Sequence, residues 1–127
     1  MGKVSEQFSE LIAALEKCKR FCPWLKEQTI ESYAPQVAAE VDEVLEAVKR
    51  KDYENLKEEL GDVLWDVLMI AHLAQDEGLF ELDDVLRSVV EKMKRRKPYV
   101  FEGKHVTIEE AWRVWKEVKA KEKERRE

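Results

Sequence analysis

Two cysteines, three prolines and four glycines are all that this chain of 127 residues holds of those types. Cys18 and Cys22 stand four apart with no second pair, so no four-ligand zinc site can be completed. Both are expected as free thiols without assigned chemistry. No stretch alternates apolar and polar residues over the length of a strand, which removes the β architectures. No apolar run approaches the roughly 20 residues that span a bilayer. The opening MGKVSEQFSE lacks the apolar core of a secretion signal, so a cytoplasmic location is expected. Basic charge is in the minority, with 23 Lys and Arg against 28 Asp and Glu and a net charge of −5. Nonspecific nucleic-acid binding needs a dominant basic surface, so no stable nucleic-acid partner is expected. The basic residues that exist gather in KMKRRK, Lys92 to Lys97, and in the C-terminal tail.

What remains is 44% hydrophobic and 40% charged, a helix-rich profile, and the length suits a single domain over residues 1–127. Five helical segments can be read. The first covers about Ser5 to Phe21, with Phe8, Leu11, Ile12 and Leu15 at helical spacing, and is closed by Pro23. After a turn through Pro23 and Trp24, the second runs from around Thr29 to Arg50, with Pro35 as an interruption near its start. Asp52 caps the third, which ends before Gly78. Asp83 is the expected cap of the fourth, which stops before Pro98. Thr107 and Glu110 open the last as a capping box. The end KAKEKERRE is expected to fray from about residue 120. The fold class is therefore all-α: a four-helix core plus a C-terminal helix.

The second helix carries Val37, Val41, Val44, Leu45 and Val48 as one apolar stripe, and the third carries Leu56, Leu60, Val63, Leu64 and Val67; both stripes are expected to face the core. At about 100° per residue, Glu40 and Glu43 flank the first stripe, and Glu59 and Asp62 flank the second at the same offset. A spacing of three puts each pair on one helix face. Two antiparallel helices side by side can then unite four carboxylates, which repel one another unless a cation lies between them. A hard divalent ion such as Mg²⁺ is the natural partner of such oxygens, and helical bundles build metal sites from inward-facing acids. The alternative for each Glu-x-x-Glu is an ordinary solvated helix face. Gly61, between Glu59 and Asp62, costs about 1 kcal/mol relative to Ala in mid-helix, which predicts close backbone approach there. Trp65, Met69 and His72 fall on the side of the third helix opposite its stripe, and an exposed apolar strip there predicts a subunit interface.

Four segments together carry a family resemblance: CPWLKEQTIES from Cys22, AEVDE from Ala39, EELGD from Glu58 and KMKRRKPYVF from Lys92. In this order they resemble the MazG-type nucleoside triphosphate pyrophosphohydrolases, with their CPW…QT…S segment, E-E-x-x-E motif, E-x-x-D motif within ELGD, and K-x-x-R-R-x-P-x-V-F segment. The resemblance implies the all-α fold of that family and Mg²⁺-dependent cleavage of nucleoside triphosphates between the α and β phosphates, giving a monophosphate and pyrophosphate, with Mn²⁺ a substitute ion. It places the metal ligands on Glu40, Glu43, Glu59 and Asp62. Lys92 and Arg96 match phosphate-contacting positions, with Arg95 adding charge beside them. Trp115 and Lys119 match a C-terminal Trp-x-x-x-Lys near the nucleotide, and Trp24 either stacks on a base or plugs the end of the bundle. Glu43 is the expected water-orienting residue.

Two departures stand out. Ala39 replaces the first Glu of E-E-x-x-E, and Leu25 replaces the acid that usually follows CPW. Asp66, one turn beyond Asp62, adds an acid on the same flank that compensates or binds a second ion through water. The rival readings are a regulatory nucleotide-binding domain of the same fold without turnover, favoured by Ala39, and a helical pyrophosphohydrolase acting on phosphoribosyl-ATP or dUTP. A homodimer or homotetramer is expected from the second apolar strip.

Overall fold

Helix boundaries in this chain follow its capping chemistry. The computed structural model describes residues 2–126, and among these every regular element is helical: α1 Gly2–Phe21, α2 Pro23–Lys26, α3 Ile30–Tyr33, α4 Pro35–Arg50, α5 Tyr53–Asp76, α6 Leu82–Arg96, α7 Pro98–Phe101 and α8 Ile108–Arg126. Pro23 does more than close α1, because it occupies the first turn of the short α2, where a missing N–H costs nothing. Thr29 caps α3 reciprocally: its hydroxyl accepts from the Ser32 N–H (3.1 Å), and the Ser32 hydroxyl accepts from the Thr29 N–H (2.8 Å). Pro35 then begins α4, so the expected interruption is a clean break between two helices.

α4 and α5 are joined by Lys51 and Asp52 alone. Lys51 takes the left-handed conformation (φ 58°) and its N–H returns to carbonyls of the last turn of α4. The Asp52 carboxylate accepts from the Asn55 N–H at 3.1 Å, as expected of the cap. So short a link makes the two helices antiparallel neighbours. Gly78, with φ of 74°, follows the end of α5. The fourth long helix differs from expectation at its start: it begins at Leu82, whose N–H donates to the Gln75 side chain (3.2 Å), and Asp83 lies inside the first turn, paired with Arg87. A carboxylate in the first turn is favoured by the helix dipole without being the cap.

Two compact units divide the chain between Leu82 and Asp83. In the first, Leu15, Leu25, Tyr33, Leu68, Met69 and Leu73 form the core, with Phe8, Leu11 and Ile12 of α1 packed against it as the helical spacing requires. Lys19 ties α1 to the end of α5 by pairing with Asp76 and donating to the His72 carbonyl.

The two apolar faces of α5 are exchanged relative to expectation. Met69 is fully buried and His72 is 4% exposed, and Trp65 packs against the core. His72 donates from Nδ1 to the Leu68 carbonyl at 3.1 Å, a packing role. By contrast, of the expected core stripes Val41, Leu45, Val48, Leu60, Leu64 and Val67 are open, with Leu45 61% and Leu60 53% exposed, while Val37, Val44, Leu56 and Val63 are half-buried. Periodicity locates both stripes of a helix that is apolar on two sides, but the neighbour decides which is covered. Here Leu15 and Leu25 cover the Met69 side. Ala47, fully buried, leaves room for α4 to close on α5.

Gly61 is a second correction, because a Cβ built there meets no atom of the chain within 4 Å. No close approach requires the glycine. Gly61→Ala is therefore expected to stabilise the protein by about 1 kcal/mol through helix propensity, read as a higher melting temperature of the metal-free protein with unchanged helix content.

In the second unit α8 stays helical through Arg126, where the charged end was expected to fray. Glu122 is the reason: it is buried and accepts from Arg95 and Arg96 of α6. At the other end of α8 the Thr107 hydroxyl accepts from the Glu110 N–H (3.1 Å), while the Glu110 carboxylate takes the Thr107 hydroxyl (3.3 Å) rather than its backbone N–H.

Candidate metal centre

The α4–α5 hairpin brings Glu40 against Glu59 and Asp62. One carboxylate oxygen from each lies within 4.8 Å of the others, with Glu40 and Glu59 half-buried and Asp62 exposed. Glu43, a turn further along α4, is exposed and is not drawn into this group. None of the ion pairs among the described residues involves any of these acids.

Crowded carboxylates without a counter-charge hold protons. The Glu40 carboxyl is pushed up to about 7, first by sharing a hydrogen bond with Glu59, then by burial, and then by the charges of Asp62, Glu59 and Asp66. Its Oε2 is buried and has no hydrogen-bond partner. An all-oxygen donor set with a bare buried oxygen fits a hard divalent cation, which would replace the proton.

This carries a sign for stability. In metal-free protein the folded state retains a proton on Glu40 that the unfolded chain releases near its ordinary value of 4.5. The contribution is therefore fully favourable at the acid end and is lost as pH rises to about 7. Thermal melts in chelator are expected to show a decline between about pH 4.5 and pH 7 that Glu40→Gln removes. An equal decline in that variant would assign the effect to other groups.

A buried contact joins α3 to α5. The Tyr33 hydroxyl donates to Asp66 Oδ1 at 2.7 Å, inside the unit. Burial, and then the Asp66 carboxylate, push the Tyr33 hydroxyl well above the ordinary tyrosine range. The helical phase of Asp66 was legible as one turn past Asp62. Tyr33 sits on another element, and no local pattern marks it.

The remaining predicted residues fall as follows. Trp24 on α2 is half exposed, with its ring centroid 6.0 Å from that of Tyr33 and the planes tilted by 53°. The adjacent Leu25 is buried in the core, which accounts for an apolar residue at that position. In the second unit Lys92 is half-buried on α6, and Lys119 is exposed on α8. Arg96 is buried: its Nη2 and Nε donate to Glu122 Oε1 (2.9 and 3.3 Å), and its guanidinium lies 4.7 Å from the Trp115 ring centroid. Arg95 donates to the other Glu122 oxygen at 3.1 Å. Arg96 and then Arg95 hold the Glu122 carboxyl below the usual range, against the opposing effect of burial. Glu122 escaped the sequence reading because it sits in a run of alternating charges. Trp115 also lines a cavity of about 340 Å³ with Lys97, Tyr99, Ile108, Ala111 and Trp112.

Comparison with known proteins identifies the family. Residues 28–101 match the family model described as the MazG nucleotide pyrophosphohydrolase domain. The chain is 39% identical over 103 residues to the nucleoside triphosphate pyrophosphohydrolase of Escherichia coli K12, covering 80% of this chain and 39% of that protein. It is 38% identical over 118 residues to the nucleoside triphosphate pyrophosphohydrolase/pyrophosphatase MazG of Thermotoga maritima, covering 91% of this chain and 45% of that one. It thus spans less than half the length of these two curated relatives. The crystal structure of a mazG-related protein from Thermotoga maritima superposes with a TM-score of 0.82 at 41% identity, covering 88% of this chain and 98% of that one. With its helical fold, its acid cluster on the α4–α5 hairpin and these matches, the chain belongs to the MazG nucleotide pyrophosphohydrolase domain family.

Proposed function

We propose that this protein is a Mg²⁺-dependent nucleoside triphosphate pyrophosphohydrolase that cleaves between the α and β phosphates and accepts Mn²⁺ in place of Mg²⁺. The observation that carries the reading is the meeting of Glu40, Glu59 and Asp62 within 4.8 Å, with a bare buried oxygen on Glu40. The Escherichia coli and Thermotoga maritima relatives, named as nucleoside triphosphate pyrophosphohydrolases, support the substrate class.

In this reading Glu40, Glu59 and Asp62 hold the ion, and Glu43, exposed one turn along α4, completes the set and orients the attacking water. When bound, the ion supplies positive charge to the triphosphate oxygens and acidifies water. The family resemblance assigns phosphate contact to Lys92 and Arg96, with Arg95 beside them; within their own unit Arg96 is held in place by Glu122 and Trp115. The same resemblance assigns contacts with the rest of the nucleotide to Trp115 and Lys119, and Trp24 is a candidate to stack on the base. The protein's contribution is positioning and fixed charge, which dominate phosphoryl transfer.

The test is incubation of the purified chain with a panel of nucleoside triphosphates and Mg²⁺, scoring pyrophosphate against orthophosphate. Monophosphate and pyrophosphate in equal amounts are expected. Orthophosphate alone would overturn the bond assignment. Binding without turnover would favour the regulatory reading that Ala39 supports.

The same reading has the chain acting as a homodimer or homotetramer, on a different surface from the one first expected. Trp65, Met69 and His72 are occupied within the chain, whereas Val41, Leu45, Val48, Leu60, Leu64 and Val67 form one apolar face across α4 and α5. Two such hairpins laid face to face would bury both faces as a four-helix bundle.

A further inference from the structure

Asp66 is 7% exposed, deeper than any of the three clustered acids. It follows Asp62 by one helical turn, which places it on the same face of α5. Its Oδ1 accepts the Tyr33 hydroxyl at 2.7 Å, and Tyr33 is itself locked in the core. Its Oδ2 is buried with no partner, and the same holds for Glu40 Oε2. An ionised carboxylate only accepts hydrogen bonds, so two bare oxygens of this kind in one region call for a cation or a proton. A carboxylate held by a hydrogen bond at one oxygen, with the other bare, is arranged as a metal ligand is. Asp66 stands outside the trio whose oxygens meet within 4.8 Å, one turn further along α5 from Asp62.

We propose that Asp66 is a further carboxylate of the metal centre, its bare Oδ2 acting on a divalent cation held by the cluster, directly or through water, with Tyr33 as its positioning residue. The inference rests on the metal-dependent reading above and extends it to two residues outside the four-acid motif.

The experiment is Mn²⁺ titration of the purified chain by calorimetry and by the electron paramagnetic resonance signal of free Mn²⁺. It is paired with thermal melts of the metal-free and Mn²⁺-loaded protein. Asp66→Asn keeps the shape and an acceptor for Tyr33 but removes the charge, and is expected to weaken Mn²⁺ binding by about 10–100-fold. Tyr33→Phe keeps the ring in the core and frees the carboxylate; a loss of about tenfold, with binding retained, is expected. In both, the melting shift on adding Mn²⁺ should shrink in step. If Asp66→Asn and Tyr33→Phe lower the metal-free melting temperature yet bind Mn²⁺ like the wild type, the pair is a packing contact and the proposal is overturned. Should Asp66→Asn not fold, Tyr33→Phe decides alone by the same criterion. Wild-type protein that takes up no Mn²⁺ would overturn this proposal together with the metal-dependent reading, whereas wild-type binding unchanged in the variants overturns this one only.

Discussion

Glu59→Gln is expected to abolish Mg²⁺-stimulated pyrophosphate release, by at least about 100-fold, while leaving helix content unchanged. Residues that merely support metal ligands cost roughly 10–100-fold when lost, and Glu59 sits in the centre itself, with an oxygen within 4.8 Å of those of Glu40 and Asp62. The amide keeps the size of the side chain, so packing is not disturbed. It also removes one charge from a crowded cluster and the hydrogen-bonding carboxyl that contributes most to raising Glu40. The metal-free variant should therefore melt no lower than the wild type, and its Glu40 should ionise at lower pH. Loss of activity with intact stability is the signature of a site residue. Full activity in Glu59→Gln would mean that the acid cluster is not where turnover occurs.

The second large effect concerns association. Leu64→Glu is expected to leave each chain folded and to separate the oligomer proposed above, because Leu64 is 44% exposed within its own chain and touches solvent unless a second copy covers it. A two-fold interface counts the new charge twice. Unpaired charge in an apolar contact would shift dissociation by about 4 kcal/mol or more, roughly a thousandfold. Sedimentation should report the smaller species at concentrations where the wild type is associated. Met69→Glu is the control for the opposite face: Met69 is fully buried in its own chain, and this variant should unfold. An unchanged sedimentation coefficient for Leu64→Glu would move the interface elsewhere.

The contrast between Leu64 and Met69 also measures what one sequence can disclose. Helix positions were legible because capping is local: Asp52, Thr107 and Pro35 act within a few residues of themselves. The pairing of Glu40 with Glu59 and Asp62 was legible because two helical phases and a short link suffice to bring them together. Which face of α5 turns inward was not, since both are apolar and the choice belongs to Leu15 and Leu25, remote in the chain. Gly61 misled for a related reason: a conspicuous residue type implies a tight contact only if a neighbour exists, and none does within the chain. Tyr33 and Glu122 were invisible because each acts on an acid or a base of a different helix. Glu122 further shows that a run such as KAKEKERRE, which reads as solvated charge, can hide one buried partner.

The link between α4 and α5 has a consequence for which relatives this domain can have. Glu40 and Asp62 stand at nearly equal distances from the turn at Lys51 and Asp52, like opposite rungs on two rails. Adding or removing one residue of either helix between rung and turn slides that rail by about 1.5 Å and rotates its side chains by about 100°. A single-residue indel there would therefore turn a ligand away from the centre, whereas only steps of a whole number of turns on both rails preserve it. Length variation in working homologues should accordingly avoid the stretch from Glu40 to Asp62 or enter it in matched helical turns, making the hairpin a ruler as well as a scaffold.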